Sequence, residues 1–216
     1  MSLAGSSSCS VLDLGCGTGT LCCALARDGH HATGVDPSAA MLNVARSKPH
    51  AEKIEWVESR AQNYKSDRRF DLIVMTGHAL QVLLTDNDIL ATLKTMHDHL
   101  SDHGKVSFET RNPNVDWAAE WARRPPLVHT LPTGKLVETL EITAENSEFI
   151  SFRTSYSSPH STLITNSTLR FPSREHIEAL IAHSGLVVRN IFGDWDAGEY
   201  YAALSREIVF IAEVAK

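Results

Sequence analysis

The sequence predicts an α/β fold: a doubly wound, mostly parallel, seven-stranded sheet with an antiparallel β-meander insertion. Up to about residue 110, apolar strand patterns alternate with amphipathic helix patterns. This alternation is typical of a parallel sheet with right-handed crossovers. Three consecutive strand patterns then follow, before a helix and two closing strands. We therefore expect one domain, residues 1–216, in which residues 111–172 are an insertion consisting of a helix and antiparallel strands.

The first half carries five strand patterns and three helix patterns. Gly29 is a stop signal for the first helix, and Ser38 is a capping residue for the second. The fourth strand is almost continuously apolar, which indicates burial on both faces. The strands are expected at Cys9–Leu14, His31–Val35, Lys53–Glu58, Phe70–Met75 and Gly104–Thr110, and the helices at Thr20–Asp28, Ser38–Ser47 and Asp86–Leu100.

The second half begins with a short helix pattern at Val115–Arg123. Trp117 and Trp121 lie four residues apart and share one face of it, and Pro125-Pro126 end it. Ser173 is a capping residue for a later helix. The remaining elements are expected at Leu136–Ile142, Phe149–Tyr156 and Thr162–Phe171 for the meander, Ser173–Ser184 for the helix, and Leu186–Phe192 and Glu207–Val214 for the closing strands.

The composition excludes several classes of protein. Hydrophobic residues make up 43% and charged residues 21%, as in ordinary globular proteins. The net charge of −6 gives no basic surface for duplex nucleic acid. No apolar run reaches the roughly 18 residues needed to span a bilayer. The first ten residues lack the pattern of a secretory signal, and the 4 cysteines form no C-x-x-C pair. We expect a cytoplasmic protein with reduced thiols.

The strongest motif is a glycine-rich loop that directly follows the first strand. Residues 11–20 read VLDLGCGTGT, which contains the pattern D-x-G-x-G-x-G. Glycines at the carboxyl end of a buried strand let the backbone turn sharply and approach a ligand closely. The dinucleotide pattern G-x-G-x-x-G would need a third glycine where Thr20 stands. The loop also lacks the lysine of a P-loop.

A second motif, Gly34-Val35-Asp36-Pro37-Ser38, ends the second strand. A carboxylate at this place can accept hydrogen bonds from both hydroxyls of a ribose. Asp36 is also compatible with a simple capping role, because acidic residues are common near helix N-termini. Together with the glycine loop, its position favours the ligand interpretation.

These two motifs, with Phe70-Asp71-Leu72-Ile73-Val74 behind them, resemble class I S-adenosylmethionine-dependent methyltransferases, which have a Rossmann-like fold. The resemblance covers residues 9–110 best. It implies S-adenosylmethionine as the cofactor, with its methionine and ribose portions on the glycine loop. The residues that it assigns there are Asp13, Gly15, Cys16, Gly17 and Gly19; Asp36 would hold the ribose hydroxyls, and Pro37, Ser38 and Met41 would border the adenine.

One position departs from the family pattern. The family often has an acidic residue after the third strand that meets the adenine amine, and Arg60 stands there in this sequence. The backbone of Ala61 and the side chain of Gln62 could still contact the adenine edge. Thr76 and Gly77, after the fourth strand, would offer backbone groups to the cofactor.

Three residues at the same edge of the sheet are candidates for catalysis. His78 is the best candidate for a general base, because the ordinary pKa of imidazole lies near neutrality. It could instead only pack on the cofactor or cap the next turn. Glu109 could orient an amine or could point to solvent. Arg111 could hold an acidic substrate or could pair with Glu109.

The predicted activity is methyl transfer to an oxygen or nitrogen atom of a small-molecule acceptor, with no nucleic-acid or membrane partner and with a monomer or homodimer as the unit. The alternative is a weak or inactive cofactor-binding protein without an N-terminal lid, because only about eight residues precede the first strand. A nicotinamide-dependent reductase is disfavoured by Thr20. No metal site is expected, because His97 and His99 do not share a helix face.

Overall fold

Strands and helices alternate along the part of the chain that this computed structural model describes, residues 3–132 and 134–215. The strands are β1 Ser10–Leu14, β2 His31–Asp36, β3 Glu55–Glu58, β4 Phe70–Met75, β5 Leu100–Arg111, β6 Leu127–Leu131, β7 Gly134–Glu145, β8 Phe149–Ser157, β9 Thr162–Arg170, β10 Leu186–Phe192 and β11 Glu207–Val214. The helices are α1 Thr20–Arg27, α2 Ala39–Arg46, α3 Asp86–His99, α4 Trp117–Ala122 and α5 Arg174–His183.

The larger sheet has seven strands in the order β10-β11-β5-β4-β1-β2-β3. Strands β1 to β5 run parallel, whereas β11 is antiparallel to both β5 and β10. The predicted fold class is confirmed. Strand β1 lies between β2 and β4, so the chain order reverses on either side of it. Ligands of open α/β sheets bind at the carboxyl ends of the strands at such a switch point.

Both faces of the central strands are buried, as the apolar pattern of β4 predicts. Leu12 and Ile73 belong to the core on one face, which α3 and α5 cover. Val11, Leu72 and Val74 pack on the other face against side chains of α1. Burial on both faces fixes where the strands end at the edge of the sheet, and therefore the position of the loops that follow them.

The second sheet has four antiparallel strands in the order β6-β7-β8-β9, one more than the predicted meander. The missed strand is β6, Leu127–Leu131, in which only Leu127 is partly buried. A strand without a buried face lacks the alternation by which strands are recognised. It forms because β7, twelve residues long, offers it hydrogen-bonding partners. Helix α4 covers this sheet through Trp117, which packs against Ile150 and Phe171.

Most other predicted boundaries of strands and helices agree with the structure within a few residues. Ser38 and Ser173 cap α2 and α5, as predicted, by accepting hydrogen bonds from the amides of Met41 and His176. The fifth strand begins at Leu100 rather than Gly104, and α3 therefore ends one residue earlier than expected. No helix in the described residues combines the length and apolarity needed to cross a bilayer.

Candidate functional site

The glycine loop joins β1 to α1 at the carboxyl edge of the larger sheet. Gly15, Gly17 and Gly19 have positive φ angles of 76°, 54° and 72°. Side chains with a Cβ rarely adopt this conformation, which explains the spacing of the glycines. The amides of Gly15 and Cys16 both donate to the carbonyl of Val35, at 2.8 and 3.1 Å. The loop is therefore tied to the end of β2.

Close packing gives two of these glycines a second function. A Cβ on Gly15 would lie 2.9 Å from the Cβ of Ala79. A Cβ on Gly19 would collide with the indole of Trp56, and one on Gly34 would lie 2.7 Å from the same ring. Trp56 therefore supports the loop from β3. Sequence reasoning missed it, because nothing local marks a tryptophan in a short strand as a contact of a distant loop.

Lys48, just beyond α2, also holds the loop and was not predicted. Its Nζ donates to Oγ1 of Thr18 at 3.0 Å and to Oγ1 of Thr20 at 2.7 Å. Thr20, the residue that breaks the dinucleotide pattern, thus has a structural contact of its own. The loop is held from both sides, by Trp56 and by Lys48.

Asp36 links the two motifs. Its Oδ2 accepts from the amide of Gly17 at 2.9 Å, and its Oδ1 accepts from the amide of Ser38 at 2.8 Å. The carboxylate therefore orders the glycine loop and the start of α2 together. Each carboxylate oxygen has a further lone pair, so these bonds leave Asp36 able to accept hydroxyl donors as well.

Two adjoining cavities lie at this edge. One, of about 620 Å³, is lined by the predicted residues Asp36, Pro37, Met41, Arg60, Ala61 and Gln62, with Asp88. The other, of about 570 Å³, is lined by Asp13, Cys16, Gly17 and Thr76. Gly15, Gly77 and Ala79 line both cavities, so the two form one continuous cleft. Gly19 and Ser38 do not line the cleft; they shape the backbone behind it. The three candidates for catalysis, His78, Glu109 and Arg111, do not line either cavity.

Asp13 is a buried carboxyl with one unused oxygen. Its Oδ2 accepts from Sγ of Cys22 at 3.3 Å, whereas Oδ1 is buried without a partner. Burial raises the pKa of Asp13 to about 7, with a further rise from the nearby charges of Asp36 and Glu109. A cation placed against Oδ1 would stabilise the ionised form.

His78 and Glu109 are brought together, but through the backbone. His78 has a positive φ of 61°, and its amide donates to Oε1 of Glu109 at 2.7 Å. Glu109 is buried rather than solvent-facing, with Oε2 unpaired, and burial raises its pKa. The imidazole Nε2 lies 3.0 Å from both carboxylate oxygens of Glu207, a residue that sequence reasoning did not select.

Arg111 has other partners than those predicted. It does not pair with Glu109; its Nη1 donates to Oε1 of Gln81 at 2.9 Å. Its guanidinium lies over the rings of Trp117 and Trp121, at 5.5 and 5.1 Å from their centroids. Burial lowers its pKa. Trp117 and Trp121, which share one face of α4 as their spacing predicts, thus hold a cation.

The histidines near the end of α3 are engaged in other contacts. His99 Nδ1 lies 2.7 Å from the carbonyl of Thr95, and its Nε2 accepts from the amide of Ser66. His97 Nδ1 lies 2.9 Å from Asp98. Within residues 3–132 and 134–215, no group of three or more histidine, cysteine, aspartate or glutamate side chains could hold a metal ion.

Comparison with known proteins agrees with this geometry. A family model described as a methyltransferase domain matches residues 11–104, which contain the glycine loop, Asp36 and most of the cleft. This part of the chain, less than half of its length, is similar to a methyltransferase domain. The match ends at β5, so the second sheet lies outside the family model.

Curated relatives extend the comparison. This chain is 27% identical over 207 residues to the cypemycin N-terminal methyltransferase of Streptomyces sp, covering 94% of this chain and 82% of that protein. It is 34% identical over 108 residues to a ubiquinone biosynthesis O-methyltransferase of Bradyrhizobium diazoefficiens, covering 48% of this chain. The alignment with YqeM of Bacillus subtilis, 32% identical, spans 42% of that protein. The chain thus spans less than half of some relatives that it matches.

Solved structures share the fold of nearly the whole chain. An S-adenosylmethionine-dependent methyltransferase from Clostridium acetobutylicum superposes with a TM-score of 0.82 at 19% identity, covering 96% of this chain and 84% of that one. The sugar N-methyltransferase KedS8 from Streptoalloteichus superposes with a TM-score of 0.80 at 17% identity, covering 97% and 81%. The second sheet is therefore part of a known arrangement of this fold.

Proposed function

We propose that this protein transfers the methyl group of S-adenosylmethionine to an oxygen or nitrogen atom of a small-molecule acceptor. The observation that carries the proposal is the continuous cleft, in which Asp36 lines one cavity and the glycine loop with Asp13 lines the other. A nucleoside joined to an amino-acid tail would fit this cleft, with its ribose at Asp36 in the first cavity and its tail at Asp13 and the glycine loop in the second.

The lining residues fit such a cofactor. Asp36 would accept the ribose hydroxyls, and Pro37 and Met41 offer apolar surface to a base. The backbone of Gly15 and Gly17 can approach the tail closely, because neither residue has a side chain. The unpaired Oδ1 of Asp13 would receive the ammonium group of the tail. That contact would draw the pKa of Asp13 down from about 7.

The bound cofactor supplies a methyl group on a sulfonium, which is already a good leaving group. The task of the protein is therefore to align the acceptor and to exclude water. We assign the general base to His78, which does not itself line the cleft but lies between Gly77 and Ala79, which do. With Nε2 donating to the carboxylate of Glu207, Nδ1 would be the nitrogen that takes a proton from the acceptor. Glu109 holds the backbone of His78 in its unusual conformation.

Arg111 would contact the acceptor rather than the cofactor. It lies at the end of β5 beside the second sheet, where Trp117 and Trp121 hold its guanidinium. An anionic or strongly polar group on the acceptor would complement it. Small-molecule acceptors are also favoured by the net charge of −6, which disfavours nucleic acid, and by the names of the relatives, which include sugar and ubiquinone methyltransferases.

Calorimetric titration with S-adenosylhomocysteine tests the proposal without knowledge of the acceptor. We expect micromolar binding by the wild type and at least a tenfold loss in Asp36→Ala, because both ribose contacts are removed. The matched control is Asp98→Ala, an exposed aspartate on α3 whose side chain is 68% accessible. The absence of binding by the wild type would contradict the proposal, as would equal losses in the two variants.

A further inference from the structure

Gln62 and Asp88 form a hydrogen-bonded pair on the wall of the cavity that also contains Asp36. Nε2 of Gln62 donates to Oδ1 of Asp88 at 3.2 Å. Both residues line this cavity, yet they come from a short turn after β3 and from the first turn of α3. They meet there only because of the fold.

Asp88 is held in place by the N-terminus of its helix. Its amide donates to Oγ1 of Thr85 at 3.1 Å, and that hydroxyl donates to Oδ2 of Asp88 at 2.6 Å. This reciprocal cap leaves Oδ1 for Gln62. Gln62 is held as well, because its backbone carbonyl accepts from Oγ1 of Thr95 at 3.4 Å. The carboxylate of Asp88 and the backbone of Gln62 are thus both held by hydrogen bonds.

A carboxamide by itself does not select between a donor and an acceptor. Rotation by 180° exchanges its NH₂ and its carbonyl oxygen at little cost. A carboxylate only accepts, so Asp88 attracts Nε2 and would repel Oε1. The contact therefore directs Oε1 away from Asp88. Among the described residues, Oε1 of Gln62 accepts no hydrogen bond.

We infer that Asp88 is a positioning residue that orients Gln62 so that its carbonyl oxygen accepts from the 6-amino group of a purine. The pair thereby selects a 6-aminopurine, adenine, over a 6-oxopurine. This inference rests on the proposed function, since it assumes that the cavity binds the nucleoside portion of the cofactor. It assigns to Asp88 a function in base recognition in addition to its place in the helix cap.

The chemistry of Arg60 explains why such a pair is needed. Arg60 lines the same cavity, two residues before Gln62. A guanidinium is only a donor and cannot accept from an amine. The acceptor must therefore come from elsewhere, and Gln62 provides it with Asp88 fixing its orientation, 26 residues further along the chain.

The test is a comparison of two ligands by calorimetry: S-adenosylhomocysteine and S-inosylhomocysteine, in which an oxo group replaces the 6-amino group. The wild type is expected to prefer the amino form at least about tenfold, because the oxo group would face Oε1. Gln62→Leu removes the acceptor and should reduce this preference to within about threefold. Asp88→Asn, which is nearly isosteric, should do the same, because an asparagine can pair with either orientation of Gln62.

Asp98→Asn is the matched control, because it makes the same change at an exposed position of α3, where the side chain is 68% accessible. It should leave the preference unchanged. If the wild type binds both ligands equally, or if Asp88→Asn keeps the preference of the wild type, the inference is wrong. If the wild type binds neither ligand, the proposed function itself fails.

Discussion

The glycine loop with its neighbours and the second sheet with α4 are built from different kinds of contact. In the loop, backbone amides of Gly15, Cys16 and Gly17 bond to the end of β2, and the decisive side chain is the small carboxylate of Asp36. In the second sheet, large side chains dominate. Trp117 lies under two guanidinium groups, those of Arg111 and Arg206, the latter at 4.5 Å from its ring centroid.

The two regions hold their chain segments in place by different means. Backbone contacts in the loop give precise placement over a short stretch of chain and leave space for a ligand. The tryptophan and arginine stack fills space instead, and joins α4 to the ends of β5 and β11. We therefore expect changes in the loop to affect cofactor binding, and changes in the tryptophans of the stack to affect mainly stability.

The largest effect on stability is expected from Trp117→Ala. Trp117 is 6% exposed, and its Nε1 donates to the carbonyl of Asn112 at 2.9 Å. Removing the ring should cost about 3–5 kcal/mol in the free energy of unfolding. The affinity for S-adenosylhomocysteine should change less than twofold. Urea denaturation and calorimetry measure the two quantities.

Trp117→Phe is the control for that change, because it keeps an aromatic ring and loses the hydrogen bond. This variant should lose about 1–2 kcal/mol in the free energy of unfolding. A large loss of cofactor affinity in folded Trp117→Ala would mean that the two regions are coupled, and the comparison would fail.

A somewhat smaller effect is expected from Gly19→Ala. The new Cβ would collide with Trp56 and lie 2.9 Å from the Cβ of Ala45, at a φ of 72°. Overpacking and backbone strain together should cost about 3 kcal/mol, and the displaced loop should bind S-adenosylhomocysteine more weakly. Gly17→Ala is the matched control for stability: its φ is also positive, but its Cβ would meet nothing within 4 Å. It should cost only about 1 kcal/mol; equal costs would show that Trp56 does not constrain the loop.

The smallest effect, with a characteristic pH dependence, is expected from Asp13→Asn. In the unfolded chain this carboxyl ionises near pH 4, whereas burial raises its pKa to about 7 in the fold. The unfolded state therefore releases its proton first, and the wild type loses stability as the pH rises from about 4 to about 7. Asparagine does not ionise, so the variant should lack this loss, which between pH 5 and pH 8 is on the order of 2–3 kcal/mol. It should also bind S-adenosylhomocysteine more weakly.

Denaturation at pH 5 and pH 8 measures this effect, and Asp71→Asn serves as the control. Hydrogen bonds from the backbone and hydroxyl of Ser10 lower the pKa of Asp71. Its contribution is present above pH 4 and is lost as the pH falls, so it should not alter the difference between pH 5 and pH 8. An unchanged pH dependence in Asp13→Asn would contradict the assignment.

Local features of the fold were predictable from the sequence, and contacts between distant segments were not. Ser38 was recognised as a cap because capping depends on residues three positions apart. Strand β6 was missed because its pairing with β7 gives it no apolar face. Glu207 was missed because its contact with His78 joins residues 129 positions apart, which no pattern in the sequence records.

By itself, the sequence determined the order of strands and helices apart from β6, the glycine loop and the placement of Asp36, because hydrophobic period, caps and glycine conformations act over a few residues. Only the tertiary structure decided that Trp56 supports the loop, that Arg111 lies between tryptophans, and that Gln62 meets Asp88. Those contacts depend on how strands and helices pack. Packing brings together side chains whose separation along the chain carries no signal.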